Sequence, residues 1–136
     1  MSVKKKGKWS GIKKFGYAFR GIYTSLKEEA SLVIHFIVAI LVLIVAAILT
    51  SKAITPKPIN LTDWVIVIFV IGIIIGMELL NTAIENLVDM IAFEYNMNAK
   101  KIKDVSAGAT LILSLTAIAV GLIIFIPPVI AIFTGK

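Results

Sequence analysis

The sequence predicts an all-α membrane protein, with three transmembrane helices preceded by an amphipathic helix lying at the membrane interface. Three observations lead there. Of 136 residues, 59% are hydrophobic and the mean hydropathy is +0.98, too apolar for a soluble domain of this size, which needs a polar surface. Three largely apolar runs, 32–50, 64–93 and 105–127, are each long enough to cross a hydrocarbon core about 30 Å thick. Residues 9–30 place apolar and basic side chains on different sides of a helix.

The elements follow in order. Residues 1–8 form a basic tail. Beside three spans, its expected partner is an anionic membrane surface and not nucleic acid. In the 9–30 helix, Trp9, Ile12, Phe15, Phe19, Ile22 and Leu26 recur at helical spacing, while Lys13, Lys14, Arg20 and Lys27 fall mostly on the other side. Gly11, Gly16 and Gly21 weaken it as an isolated helix. The first span is interrupted only by His35, the single histidine of the chain, which reads as a hydrogen-bonded interior residue and not as a metal ligand. This run is too long for a signal-peptide core, so no cleavable leader is expected. Residues 50–63 form a polar turn with Thr62 or Asp63 capping the second span. Residues 94–104 read as a polar loop. Pro127 and Pro128 are expected to kink or end the third span. The whole chain reads as one membrane domain.

Charge sets the orientation. The N-terminal segment and the 94–104 loop hold eleven lysines and arginines, against three in the 50–63 turn and at the C-terminus. The positive-inside rule then places the N-terminus and the 94–104 loop in the cytoplasm, in a plasma membrane. No cysteine is present, which excludes disulfides, thiolate metal sites and cysteine nucleophiles.

The second span carries the chemistry. Glu78, Glu85 and Asp89 follow one side of a helix, and Asn81 and Thr82 flank them. Carboxylates are costly inside a bilayer, so their presence in a span points to use. Desolvation makes a deep carboxylate such as Glu78 a better proton acceptor. A structural hydrogen-bonded pair between helices is the competing reading. Near the expected cytoplasmic face, Glu28, Glu29, Glu85, Asp89, Glu94, Lys103 and Asp104 gather. Acids of this kind suit Mg²⁺ with phosphate oxygens, and lysines suit phosphate itself. Glu29 borders the apolar face of the first helix, whereas Glu28 turns to the basic side. Gly72 and Gly76 form a GxxxG packing motif, and residues 106–110 a second small-residue patch. There is no P-loop, no GxGxxG, no protein-kinase signature, no HExxH and no CxxC.

Glu78-Leu79-Leu80-Asn81-Thr82-Ala83-Ile84-Glu85 followed by Val88-Asp89 resembles the signature of the prokaryotic diacylglycerol kinase family, which includes undecaprenol kinases. Glu94-Tyr95 and Ala99 to Asp104 resemble its next block. Gly16-Tyr17, Arg20-Gly21 and Glu29-Ala30 resemble its surface helix. The resemblance implies a homotrimer with active sites shared between subunits, and transfer of the γ-phosphate of ATP to a membrane lipid alcohol with Mg²⁺. It implies that Glu78 is the general base and Asn81 its support. Glu29 and Glu85 are then the acids that hold metal and nucleotide, and Tyr17, Glu94, Lys103 and Asp104 are nucleotide contacts. Ser10 stands where family members often carry a basic residue. Overall likeness to the Gram-positive type, including Ile34-His35, favours undecaprenol as the lipid, with diacylglycerol as the alternative. A reading of another class is a small proton-coupled transporter using Glu78 and Glu85 as relays. Against it, three spans show no inverted repeat.

Overall fold

A computed structural model describes residues 10–92, 94 and 96–135, without the side chains of Ser10 and Ile12. The basic tail 1–8, Trp9 and Tyr95 lie outside the described residues. Among the described residues the chain is all-helical: α1 Ser10–Glu28, α2 Ala30–Leu49, α3 Leu61–Ile91 and α4 Met97–Thr134. The last three are long and apolar enough to cross a membrane. α3 is the centre of the subunit. It packs most extensively on α4, then on α2, and α1 touches both α2 and α3.

The helix ends differ from the sequence expectation in four places. First, α1 stops at Glu28 and α2 starts at Ala30. Glu29 therefore belongs to neither helix. It is a one-residue break with extended backbone, φ −114° and ψ 106°, and its side chain caps nothing. Second, α3 is capped by Asn60, not by Thr62 or Asp63. The Asn60 side chain accepts from the backbone N–H groups of Thr62 and Asp63 at 2.8 and 3.2 Å. Asp63 reaches back to the Asn60 N–H at 3.0 Å, completing a capping box in which Asp63 is the third helical residue.

Third, α4 begins at Met97, within what reads as a loop. The Asn96 side chain caps it by accepting from the Asn98 N–H at 2.8 Å. Lysine and alanine are good helix formers, so charge at 99–103 extends this helix past the apolar run instead of breaking it. Fourth, Pro127 and Pro128 do not end the helix, which continues to Thr134. A proline leaves the carbonyl four residues earlier without its helical donor, here those of Ile123 and Ile124. Close by, the fully buried Thr55 donates its hydroxyl to the Pro128 carbonyl at 2.9 Å, which ties this part of α4 to the turn between α2 and α3. The helix closes at Gly135, whose φ of 66° is the left-handed conformation that favours glycine.

The turn between α2 and α3 is tied at several points. Ile59 N–H donates to the Leu49 carbonyl at 3.0 Å. The Thr50 hydroxyl donates to the Ala46 carbonyl at 2.8 Å and accepts from the Trp64 indole at 2.9 Å. Lys57 N–H donates to the Thr55 hydroxyl at 3.2 Å. The main apolar cluster sits at this same end: Ala46, Leu49, Ile59, Val67 and Ile124, with Trp64, Val120 and Phe125 packed around it. Thr55→Val removes both hydroxyl bonds and leaves the Lys57 N–H without its partner. The expected cost is about 1–3 kcal/mol, read as a lowered unfolding temperature in detergent.

Candidate functional site

The polar face of α3 is a direct result of helical periodicity, and it points into the subunit at its upper end. Glu78 is 4% exposed and Thr82 is also buried. Both lie on the face that α3 turns toward its neighbours, with Val67 and Val88 as the other buried positions of the same helix. Opposite, α4 buries Ser106 and Thr110. Thus two of the five residues of the small-residue patch at 106–110 are buried in helix packing. Gly72 and Gly76 do not. A Cβ added at either would meet nothing within 4 Å, so that motif faces away from the rest of the subunit.

Glu78 has one close ionisable neighbour among the described residues. His35 Nδ1 on α2 lies 3.9 Å from Glu78 Oε1. The same nitrogen is 2.9 Å from the Ser31 carbonyl, and because a carbonyl only accepts, Nδ1 carries a proton. His35 makes the kind of hydrogen bond that the sequence suggests, although its side chain is 27% exposed in the subunit and so only half-buried. Its approach to Glu78 was hidden, because it depends on the register of two antiparallel helices.

One turn further along α3, Asn81 Nδ2 donates to Glu85 Oε1 at 3.0 Å. Asn81 Oδ1 is buried and has no hydrogen-bond partner. Buried acceptors are normally satisfied, so this atom is an open acceptor beside Glu85. Asn81 also lines a cleft between α3 and α4 with Leu80, Ile84, Lys101, Val105 and Ser106. Another turn along, Lys103 Nζ on α4 holds Asp89 by both oxygens, at 2.9 and 3.0 Å. Sequence reasoning places Asp89 on the polar side but does not foresee this pair.

The other expected site residues are more scattered. Glu85 and Glu29 are half-buried, while Glu28, Glu94 and Asp104 are exposed. Tyr17 on α1 is also exposed. Asp104 lines a shallow surface cleft with Met97, Asn98, Lys100 and Lys101. Glu29 stands at the junction of α1 and α2. Among the described residues, no three histidine, cysteine or acidic side chains converge. The available donors at Glu29 and Glu85 are nevertheless carboxylate oxygens without sulfur or nitrogen. That donor chemistry suits a hard cation that takes its remaining ligands from phosphate and water.

A carboxylate kept from water in an apolar helix, with an amide and two further acids along the same face and a lysine of α4 on the last of them, is the candidate site of a small integral-membrane protein. Residues 16–125 match the prokaryotic diacylglycerol kinase family, and the chain belongs to that family. It is similar to the undecaprenol kinase of Bacillus subtilis, with 34% identity over 116 residues, covering 85% of this chain and 88% of that protein. It is also similar to the diacylglycerol kinase of Synechocystis, 31% identical over 118 residues, covering 86% of this chain and 63% of the relative. The diacylglycerol kinase of Escherichia coli K12 is 30% identical over 107 residues, covering 79% and 81%. The chain is accordingly a lipid kinase of the membrane, with ATP implied as phosphate donor.

The Asp89–Lys103 pair separates structural from functional weight. The Asp89 side chain is 65% exposed, and ion pairs in that setting contribute little to folding. Asp89→Asn is expected to change unfolding free energy by less than about 1 kcal/mol, measured by denaturation in detergent.

Proposed function

We propose that this protein phosphorylates undecaprenol, using ATP and Mg²⁺, at the cytoplasmic face of a plasma membrane. The observation that carries the reaction is the ordered polar face of α3: buried Glu78, then Asn81 bonded to Glu85, then Asp89 held by Lys103. The lipid assignment is supported by likeness to an undecaprenol kinase over 88% of that relative's length. Diacylglycerol is the competing substrate, supported by two somewhat less similar relatives.

The chemistry is a single transfer. The lipid hydroxyl oxygen forms a bond to the γ-phosphorus, the bond from that phosphorus to the β–γ bridging oxygen breaks, and ADP leaves. The hydroxyl proton passes to Glu78. A lipid alcohol remains in its bilayer, so the base must stand at membrane depth, as Glu78 does. Asn81 steadies Glu85 through its amide N–H, and its free Oδ1 is directed to a donor on substrate. Glu29 and Glu85 would hold Mg²⁺, which supplies charge neutralisation on the phosphates when bound. Lys103, Asp104, Glu94 and Tyr17 contact the nucleotide. Phosphoryl transfer depends on such placement more than on covalent participation.

The remaining features fit this reading. α1 lies in the interface with Phe15, Phe19 and Tyr23 toward the acyl chains, since all three are exposed in the subunit. A homotrimer accounts for the open Gly72–Gly76 face of α3, which admits a helix of a neighbouring subunit. It also shields polar groups that one subunit leaves at its edge.

Purified protein in mixed micelles with ATP and Mg²⁺ is expected to phosphorylate undecaprenol faster than diacylglycerol. Transfer to diacylglycerol alone would reassign the lipid, and transfer to neither would remove the kinase reading. In the same assay Glu78→Gln is expected to reduce turnover by about 10²-fold or more, within the usual range for loss of a general base. Nucleotide affinity should stay near that of the parent protein. Glu29→Gln and Glu85→Gln should each raise the Mg²⁺ concentration needed for half-maximal rate, measured by metal titration at saturating ATP.

A further inference from the structure

We propose that His35 is a positioning residue for phosphate transfer, holding the Glu78 carboxylate toward an alcohol that arrives along the cavity between α2, α3 and α4. The inference rests on the lipid-kinase reading and adds to it a residue from the first span.

Three observations meet at this histidine. Its imidazole is fixed, because Nδ1–H is directed to the Ser31 carbonyl one turn back on α2, at 2.9 Å. A ring held in this way cannot swing freely, and its protonated edge is presented 3.9 Å from Glu78 Oε1. That separation is too long for a hydrogen bond, so the ring acts on the carboxylate as a nearby dipole. In surroundings this apolar, such a contact acts with little screening. It favours one orientation of an otherwise unsupported acid, and no hydrogen bond from another described residue reaches the Glu78 carboxylate.

The third observation is the cavity. It has a volume of about 360 Å³ and apolar walls, including Val38, Val42, Ile71, Ile75 and Phe125. Only His35 and Ser114 interrupt that lining with polar groups. Along α3 the lining runs from Val67 to Ile75, about 12 Å at 1.5 Å per residue, and Glu78 follows one turn beyond its end. His35 is therefore common to both places: it lines the hydrocarbon cavity and faces the base. A chain lying in the cavity brings its terminal hydroxyl to this polar end, where His35 and Glu78 stand together.

No other ionisable group described in the structure competes at this level. Arg20, Lys27 and Glu28 of α1 are exposed, and Glu29 is half-buried at the α1–α2 junction. On α3 the next acids are Glu85, bonded to Asn81, and Asp89, paired with Lys103. The buried polar positions of α4 are Ser106 and Thr110, which do not ionise in this range.

The test is a mutant cycle with rescue by a conservative variant, using full-length protein in mixed micelles with undecaprenol and ATP. His35→Ala removes the donor. His35→Asn keeps an N–H close to the position of Nδ1. Glu78→Asp shortens the base by one methylene. His35→Ala is expected to lower kcat by about 10- to 100-fold, the scale of a misplaced reacting group, with the KM for ATP and the Mg²⁺ titration unchanged. His35→Asn should recover most of that loss. In the Glu78→Asp background, His35→Ala should cost less than about threefold further, because the partner it orients is already displaced.

Three results would overturn the proposal: kcat within twofold of the parent in His35→Ala, Asn no better than Ala, or losses that multiply in the double variant. Any of these with an active parent protein defeats the role of His35 and leaves the lipid-kinase reading standing. A parent protein inactive toward both lipid alcohols defeats that reading instead.

Discussion

A polar group inside hydrocarbon must be satisfied by the protein itself, and this constraint shapes every unusual position in the chain. The buried Thr55 hydroxyl is satisfied by the Pro128 carbonyl. Trp64 and Thr50 pair their polar atoms at the end of the bundle. Ser106 and Thr110 turn inward. Glu78 obeys the rule least comfortably. It is almost fully enclosed, yet its nearest ionisable neighbour, His35, stands beyond hydrogen-bond distance. A carboxylate so placed lowers stability compared with an apolar residue, which is why its presence argues for chemistry.

The same constraint explains the character of the surface. Large apolar side chains on all three long helices are exposed, among them Phe69, Ile123 and Phe133. In water such a surface would aggregate. Against acyl chains it is the solvated surface, and the true core can be as small as the cluster around Ala46 and Val67. Helix association in that medium draws on close packing and hydrogen bonds more than on apolar burial. The buried small and hydroxylated residues Ala39, Ala46, Ser106 and Thr110 are consistent with this.

Much of this was readable before any coordinates. A period of 3.6 residues is a strong signal, so the polar face of α3 and the position of Glu78 on it followed from spacing alone. Glu29 was readable as bordering the apolar face of the first helix, unlike Glu28, but its place in a helix break was not. Glu28-Glu29-Ala30 contains neither proline nor glycine, and nothing local marks a stop. The bond from Thr55 to the Pro128 carbonyl was also hidden, because the two residues lie 73 apart in sequence. Lys103 was expected near phosphate for its charge, whereas its grip on Asp89 required the packing of two helices separated by a turn. Features that repeat along one helix were legible; helix ends set by single residues, and contacts between two helices, were not.

The two ends of the bundle are built differently. At one end a tied turn, an apolar cluster and the Thr55–Pro128 bond join α2, α3 and α4. At the other, α3 and α4 continue as long helices, about 46 and 57 Å at 1.5 Å per residue, and their side chains meet at Asp89 and Lys103. The subunit is thus fastened at both ends, by a buried hydroxyl bond at one and by an exposed ion pair at the other. Dissolved salt screens the second and hardly touches the first, so ionic strength acts on one end of the bundle alone.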